Sequence, residues 1–237
     1  MAPSGGAFYA NLGGNKIINC AFDSNVATKS GGAVNINGDG NTIIDDTFKN
    51  NMAAVDGGAI YLNNGNGDEI KNNVFINNSA TRHGGAIYLN QIGVSILKNN
   101  TFIDNTASNM GGAVRITISN SNGTTSISEN KFKNNNAENG GAINVATGKA
   151  IINSNNFTKC GATKGGAIKA DTSIIIGNNF KDNTAKEGSD IFIYPNSEDN
   201  SQVKNNSFSN FNSNSLVTYG NVDVQDNEGL EDSFAGL

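Results

Sequence analysis

The sequence predicts an all-β protein, a parallel solenoid of about eight to nine coils of roughly 26 residues each, and three observations carry that expectation. A Gly-Gly-Ala element begins at Gly5, Gly31, Gly57, Gly84, Gly111, Gly140 and Gly165, with a worn copy, Gly188-Ser189-Asp190, where the next is due. Between copies stands Phe-x-x-Asn, at Phe22, Phe48, Phe75, Phe102, Phe132 and Phe180, while Phe157 and Phe208 carry Cys160 and Phe211 in the Asn place. After each Gly-Gly-Ala the residues alternate, as in Val34-Asn35-Ile36, Ile60-Tyr61-Leu62 and Ile87-Tyr88-Leu89. A period of two with β-branched residues is the signature of a strand, not of a helix. Successive Phe spacings of 26, 27, 27, 30, 25, 23 and 28 leave no break. One domain over 1–237 is therefore expected, with repeats over about 5–211 and residues 212–237 as a degenerate last coil, a cap or a frayed tail.

Aligned on Phe, the copies form columns with distinct physical characters. Five residues before Phe come Ile17, Ile43, Ile70, Leu97, Ile127, Ile152, Ile175 and Val203, a buried column. Two before it run Cys20, Asp46, Asn73, Asn100, Asn130, Asn155, Asn178 and Asn206; three after it run Asn25, Asn51, Asn78, Asn105, Asn135, Cys160 and Asn183. In a parallel stack each residue lies about 4.8 Å from its equivalent, so Ile piles on Ile, Phe on Phe, and aligned Asn amides hydrogen-bond along the axis while satisfying the corner backbone. Five after Phe stands Ala, from Ala27 to Ala185, where little else would fit. The paired glycines suit a corner that needs positive φ and close backbone approach.

Bulk properties exclude several partners. Net charge is −5 and the basic residues are scattered singly, which gives no footprint for nucleic acid or an anionic membrane. No apolar run approaches 18 residues, and neither a signal-peptide core nor a lipidation motif is present, so no membrane insertion by this segment is expected. Cys20 and Cys160 lie five coils apart, about 24 Å at 4.8 Å per coil, and cannot bridge; each replaces a ladder Asn and is expected to be a small buried side chain.

The paired Gly-Gly-Ala-Ile/Val and Phe-x-x-Asn elements resemble the repeats of the chlamydial polymorphic outer-membrane proteins. The fuller form, GGAIY followed by NNxFxNN, resembles the adhesin-like surface proteins of methanogenic archaea more closely still. The resemblance covers about Gly5 to Phe211. It implies a right-handed, single-stranded parallel β-helix displayed outside the cell, on its surface, and used for attachment. Neither an autotransporter barrel nor an anchoring segment accompanies it, which makes a segment of a longer solenoid the expectation.

The candidate binding site is the middle column of the Gly-Gly-Ala strand. With its neighbours facing inward, Tyr61, Tyr88 and Arg115 would point outward in successive coils, with Tyr9 and Lys169 extending the row. Aromatic faces beside a guanidinium and amides can stack on sugar rings or receive a protein; good β propensity and self-stacking of Tyr would account for the same residues without a ligand. A weaker candidate is a Ca²⁺ site: Asn35-x-Asn37-x-Asp39-Gly40 followed by Asp46 imitates an EF-hand loop, with Asp68 and Glu69 expected in the equivalent corner one coil on. The loop lacks the opening Asp, the closing Glu and the flanking helices, and solvated loop acids explain these residues as well. Otherwise no cofactor is expected. Asp45-Asp46 and His83 superficially resemble elements of polygalacturonases, yet both fall on ordinary repeat positions, and no catalytic residue is assigned. Glycosylation sequons begin at Asn77, Asn99, Asn122, Asn156 and Asn205.

A non-enzymatic, adhesin-type solenoid that attaches to a glycan or protein of another cell leads these expectations. The alternatives are a structural stalk that associates end to end, and a polysaccharide lyase or hydrolase.

Overall fold

The computed structural model describes residues 2–118, 123–194, 201–209 and 214–229, with backbone alone at 91 and 92. The Asn122 sequon, the loop 195–200 and the tail 230–237 lie outside the described residues. Among those described there are strands and corners and no helix. The chain winds as a β-solenoid of about eight turns, and its strands pair in parallel with the equivalent strands one coil away. Among the described residues three sheets run along the axis, of 16, 8 and 4 strands.

Each coil begins with a strand after the double glycine, such as Ile60–Asn63, and continues with a strand on the isoleucine column, such as Asp68–Lys71. These two faces belong to one sheet because Ile143–Asn153 and Ile168–Ile176 run unbroken from the first face to the second. The reason is visible in the spacing. Those strands occupy the two shortest repeats, 25 and 23 residues between phenylalanines, which leave no residues for a separate loop. A third strand carries Phe at its centre, from Ala21–Asp23 to Ser207–Ser209, and a two-residue strand ending in Ala closes the early coils, as in Ser79–Ala80.

The expected register holds residue for residue. Ile17, Ile43, Ile70, Leu97, Ile127, Ile152, Ile175, Val203 and Val224 are successive partners. Phe22 to Phe208 form one continuous stack with ring centroids 4.8–5.1 Å apart and interplanar angles of 3–12°. Since carbon contact distance is about 3.5–4.0 Å, near-parallel rings separated by a strand spacing must be offset, the arrangement that aromatic quadrupoles favour. Burying each ring contributes roughly 1.5–3 kcal/mol.

Both predicted Asn columns are hydrogen-bonded ladders. Asn100 shows a complete rung: its Oδ1 accepts from the Asn73 backbone N–H (2.9 Å) and Asn73 Nδ2 (3.1 Å), and its Nδ2 donates to Ile70 O (2.9 Å) and Asn130 Oδ1 (3.0 Å). Every donor and acceptor of the amide is used. The same pattern continues through Asn155, Asn178 and Asn206 to Asn227, and in the second ladder from Asn25 to Asn135. The residue before each rung turns the chain with positive φ: Asn72, Asn99, Glu129, Ser154 and Asn205 in one ladder, Asn50, Asn77, Asp104 and Asn134 in the other. Asn and Asp tolerate this left-handed conformation better than most residues, which explains the frequent Asn-Asn pairs. A third, shorter ladder links Asn15 and Asn41 to Asp68 at the start of the isoleucine strand.

The two glycines of each pair do different jobs. The first has positive φ, as at Gly84 (63°); at the second, an added Cβ on Gly85 would stand 2.0 Å from the Gly112 carbonyl oxygen of the next coil.

Residues 214–229 extend the solenoid. Leu216–Thr218 pairs with Ile191–Ile193, Val222–Gln225 pairs with Ser201–Lys204, and Glu228 bridges to Ser207, so the described part of the tail is a further coil. The cysteines differ from expectation in one respect. Cys160 is buried, its thiol pushed up to about 11 by that burial, but Cys20 is exposed because it stands on the first rung of its ladder.

Candidate functional site

The row after the double glycine is in register along the molecule: Tyr9, Asn35, Tyr61, Tyr88, Arg115, Asn144, Lys169 and Phe192 are successive partners. Its exposure differs from the sequence expectation. Tyr9 is 55% exposed and Tyr61 and Lys169 are half-buried, but Tyr88 and Arg115 are only 8% exposed. Alternation alone sends these side chains away from the core; the glycine turn then folds back beside them. A Cβ on Gly57 would lie 3.1 Å from that of Tyr61, and the column just before the glycines, Asp56, His83 and Met110, bridges coil to coil along one flank of the row. Asn37, Asn63, Asn90 and Thr117 form the other flank, bonded in series. The stripe is therefore a shallow trough between two walls.

Within it the side chains hold one another. Tyr61 and Tyr88 meet edge to face with centroids 5.5 Å apart, and His83 meets Tyr88 edge to face at 5.8 Å. The Tyr88 hydroxyl donates to Asn90 Oδ1 (2.9 Å), and Asn90 Nδ2 donates to the Tyr61 hydroxyl (3.0 Å). Burial, with Tyr88 and Asp56 nearby, pushes the Tyr61 phenol above its usual range. Burial and then the positive charge of Arg115 push His83 down, so the imidazole is neutral at neutral pH.

The cations on this face are not alike. Arg82 makes a two-pronged pair with Asp56, Nε to Oδ1 at 3.0 Å and Nη2 to Oδ2 at 2.6 Å. Lys164 pairs with Glu187 (3.3 Å) and lies over the Phe192 ring, and Lys169 pairs with Asp171 (3.8 Å). Arg115 has no carboxylate partner among the described residues. Its Nη1 reaches Asn144 Oδ1 and the Met110 thioether, while its buried Nε and the buried Nδ2 of Asn144 have no hydrogen-bond partner. Burial lowers the guanidinium pKa and the Tyr88 hydroxyl partly offsets this.

The Ca²⁺ candidates do not converge. Among the described residues no three His, Cys, Asp or Glu side chains form a metal cluster. Asp46 and Asp68 stand in different ladders: Asp46 Oδ1 accepts from the Cys20 N–H (2.7 Å), whereas Asp68 Oδ1 accepts from the backbone and Nδ2 of Asn41. Glu69 pairs with Lys71 (3.0 Å), and Asp39 is exposed. The expected correspondence fails because Asp68 and Glu69 align with Asn41 and Thr42, not with the Asp46 corner. Sequence reasoning also missed what the ladder does to Asp46. Its Oδ2 occupies the place where other rungs carry a donating Nδ2, and it has no partner; burial raises the carboxyl pKa. An acid that keeps its proton could donate there as Asn does.

Asp45 is exposed and Asp46 is 1% exposed, so the adjacent acids face opposite ways. A groove of about 460 Å³ on the alanine face is lined by small residues such as Ala107, Asn136, Gly161 and Thr184, with Glu138 its one charged residue. The sequon residues Asn77, Asn99, Asn156 and Asn205 are exposed at corners.

Compared with known families, residues 47–63 and 74–90 each match the Chlamydia polymorphic membrane protein repeat. Each match runs from a Phe strand through the second Asn ladder and the double glycine to the row, taking in Tyr61 with Asn63 and Tyr88 with Asn90. The chain matches no curated protein. It matches no solved structure.

Proposed function

We propose that this chain is a non-enzymatic, adhesin-type repeat rod displayed at a cell surface, and that the trough beside the double glycines is the face that attaches to a glycan or protein of another cell. Two repeats matching a family named for membrane proteins support the surface-type reading, as does the resemblance to archaeal adhesin-like proteins. The observation that carries the choice of face is the change of residue from coil to coil. Core and ladder columns keep one residue type in most coils, aliphatic or Asn, whereas the row presents Asn35, Tyr61, Tyr88, Arg115, Asn144 and Lys169 in succession. Stacking alone would be served by repetition. Aromatic rings and amides spaced by one strand separation form an extended surface rather than a pocket, which suits a long ligand.

A non-enzymatic role fits the carboxylates as well. Glycoside chemistry needs two acids facing one substrate bond, and the Asp45–Asp46 pair is divided between solvent and ladder.

The test is a glycan and host-surface binding screen comparing the chain with the Tyr61→Ala plus Tyr88→Ala variant, with circular dichroism as the check on folding. Loss of binding by a folded double variant is the expected result. Undiminished binding would move the site off this face.

A further inference from the structure

Resting on the lateral-face reading above, we infer that Arg115 is the centre of an anion subsite, and that the ligand of the trough is an acidic saccharide whose carboxylate or sulfate group seats against Arg115 and Asn144.

A guanidinium taken out of water needs a counter-ion, because an uncompensated buried charge costs several kcal/mol. Arg82, Lys164 and Lys169 each have a carboxylate within 4.0 Å, and Arg115, though 8% exposed, has none among the described residues. Asp56 and Asp171 are close enough to act on Arg115 electrostatically, yet each is already paired with another cation. The acceptors beside Arg115, namely Asn144 Oδ1, the Met110 thioether and the Tyr88 hydroxyl, do not use up the donors present. Its Nε–H and the Nδ2 of fully buried Asn144 are both unpartnered, and the next residue of the row is Lys169. Two unused donors on row partners one coil apart and a positive charge suit an oxyanion, since planar carboxylate and tetrahedral sulfate oxygens both take two or more N–H groups.

The rest of the trough favours a saccharide over an acidic peptide. An extended peptide gains affinity by adding itself to a sheet edge, but the strands of this face pair with the coils on either side, so a lateral ligand meets side chains alone. Those side chains are Tyr61, Tyr88, Asn63, Asn90 and Thr117, phenols, amides and a hydroxyl that can exchange hydrogen bonds with a polyhydroxylated chain.

The test is titration calorimetry of the folded chain with three oligosaccharides of equal length: an oligogalacturonate, a sulfated oligosaccharide and a neutral cello-oligosaccharide. An acidic probe is expected to bind and the neutral one to bind at least roughly tenfold more weakly, the loss of one charge-assisted contact. The first two arms separate carboxylate from sulfate. Arg115→Gln is expected to abolish the preference for the acidic probe. Because that variant alters a buried position, Asn144→Asp is the second arm. It places a carboxylate beside Arg115, and should raise the melting temperature while removing acidic-probe binding. Equal binding of neutral and acidic probes overturns the anion subsite but leaves the lateral-face reading intact, as does acidic binding unchanged in folded Arg115→Gln or in Asn144→Asp. Failure of every oligosaccharide to bind the parent chain overturns it too, and binding to cells in the screen above would then keep the trough as a protein-recognition face.

Discussion

The Asn ladders and the tyrosine–arginine row are both columns that pass through the molecule once per coil, and they have opposite hydrogen-bond accounts. At Asn100 all four amide positions are used, three toward the preceding coil and one toward the next. At Arg115 and Asn144, one coil apart in the row, buried nitrogens stand unused. Repetition closes a ladder because every rung supplies what its neighbour lacks. A row that changes residue at each coil cannot close in that way, and what it leaves open is available to something outside the chain. Four measurements break or sharpen that contrast.

The largest effect is expected in the ladder itself. Asn100→Ala removes four hydrogen bonds, those to the Asn73 N–H and Nδ2, Ile70 O and Asn130 Oδ1, leaving Asn73 Nδ2 only Ile43 O and Asn130 Oδ1 only the residue-100 N–H, and should cost on the order of 4 kcal/mol in urea unfolding. A cost under about 1 kcal/mol would mean that water replaces the rung.

Asp190 probes a place where the ladder ends on an acid. It takes the Ala position of the worn Gly-Ser-Asp copy and accepts from Asn183 Nδ2 (2.9 Å), and burial raises its pKa to about 6 from an ordinary 3.8. The folded state therefore holds the proton more tightly than the unfolded chain. Its stabilising contribution is complete below pH 3.8, falls as pH rises and levels off above pH 6. Asp190→Asn should be more stable than the parent at pH 8 by up to about 3 kcal/mol, with the difference vanishing near pH 4. Equal stability of the two proteins at pH 8 would show that the carboxylate is better solvated than its burial implies.

Tyr88→Ala should cost about 2 kcal/mol of stability, less than the ladder change, because it removes burial and ring contacts without leaving a ladder open. A loss equal to that of Asn100→Ala would make the row structural.

The smallest effect sharpens the comparison in the other direction. Asp46→Asn supplies the missing Nδ2 and should add about 1 kcal/mol at pH 7, fading as the pH is lowered and the parent carboxyl is protonated. Chemical denaturation at both pH values reads this out, and a destabilised variant would show that the Asp46 Oδ2 position needs no donor.

Much of the frame was legible in the residues because stacking converts spacing into contact: a Phe every 23 to 30 residues is a Phe stack, and Asn at two offsets from it are two ladders. The positive-φ position before each rung was not legible, since Asn, Glu, Ser, Lys and Gly all occupy it and only the backbone unites them. Nor was the third ladder, whose rungs change from Asn41 to Asp68. The row itself was readable, but its burial was not. Period two tells which way a side chain leaves the strand, and nothing about a glycine turn that brings His83 and Met110 alongside it. The corner expected to be shared by Asp46 and Asp68 failed for a related reason: proximity in sequence was taken for equivalence in the coil, while the two acids occupy separate ladders.

Hydrogen exchange of the side-chain amides, followed by NMR, tests the stacked ladders most directly. Nδ2 protons of Asn73, Asn100, Asn130 and Asn155 should exchange only through global unfolding, orders of magnitude more slowly than those of exposed Asn66. Exchange at the Asn66 rate throughout the set would contradict the ladder and, with it, the coil-on-coil stacking from which both faces were derived.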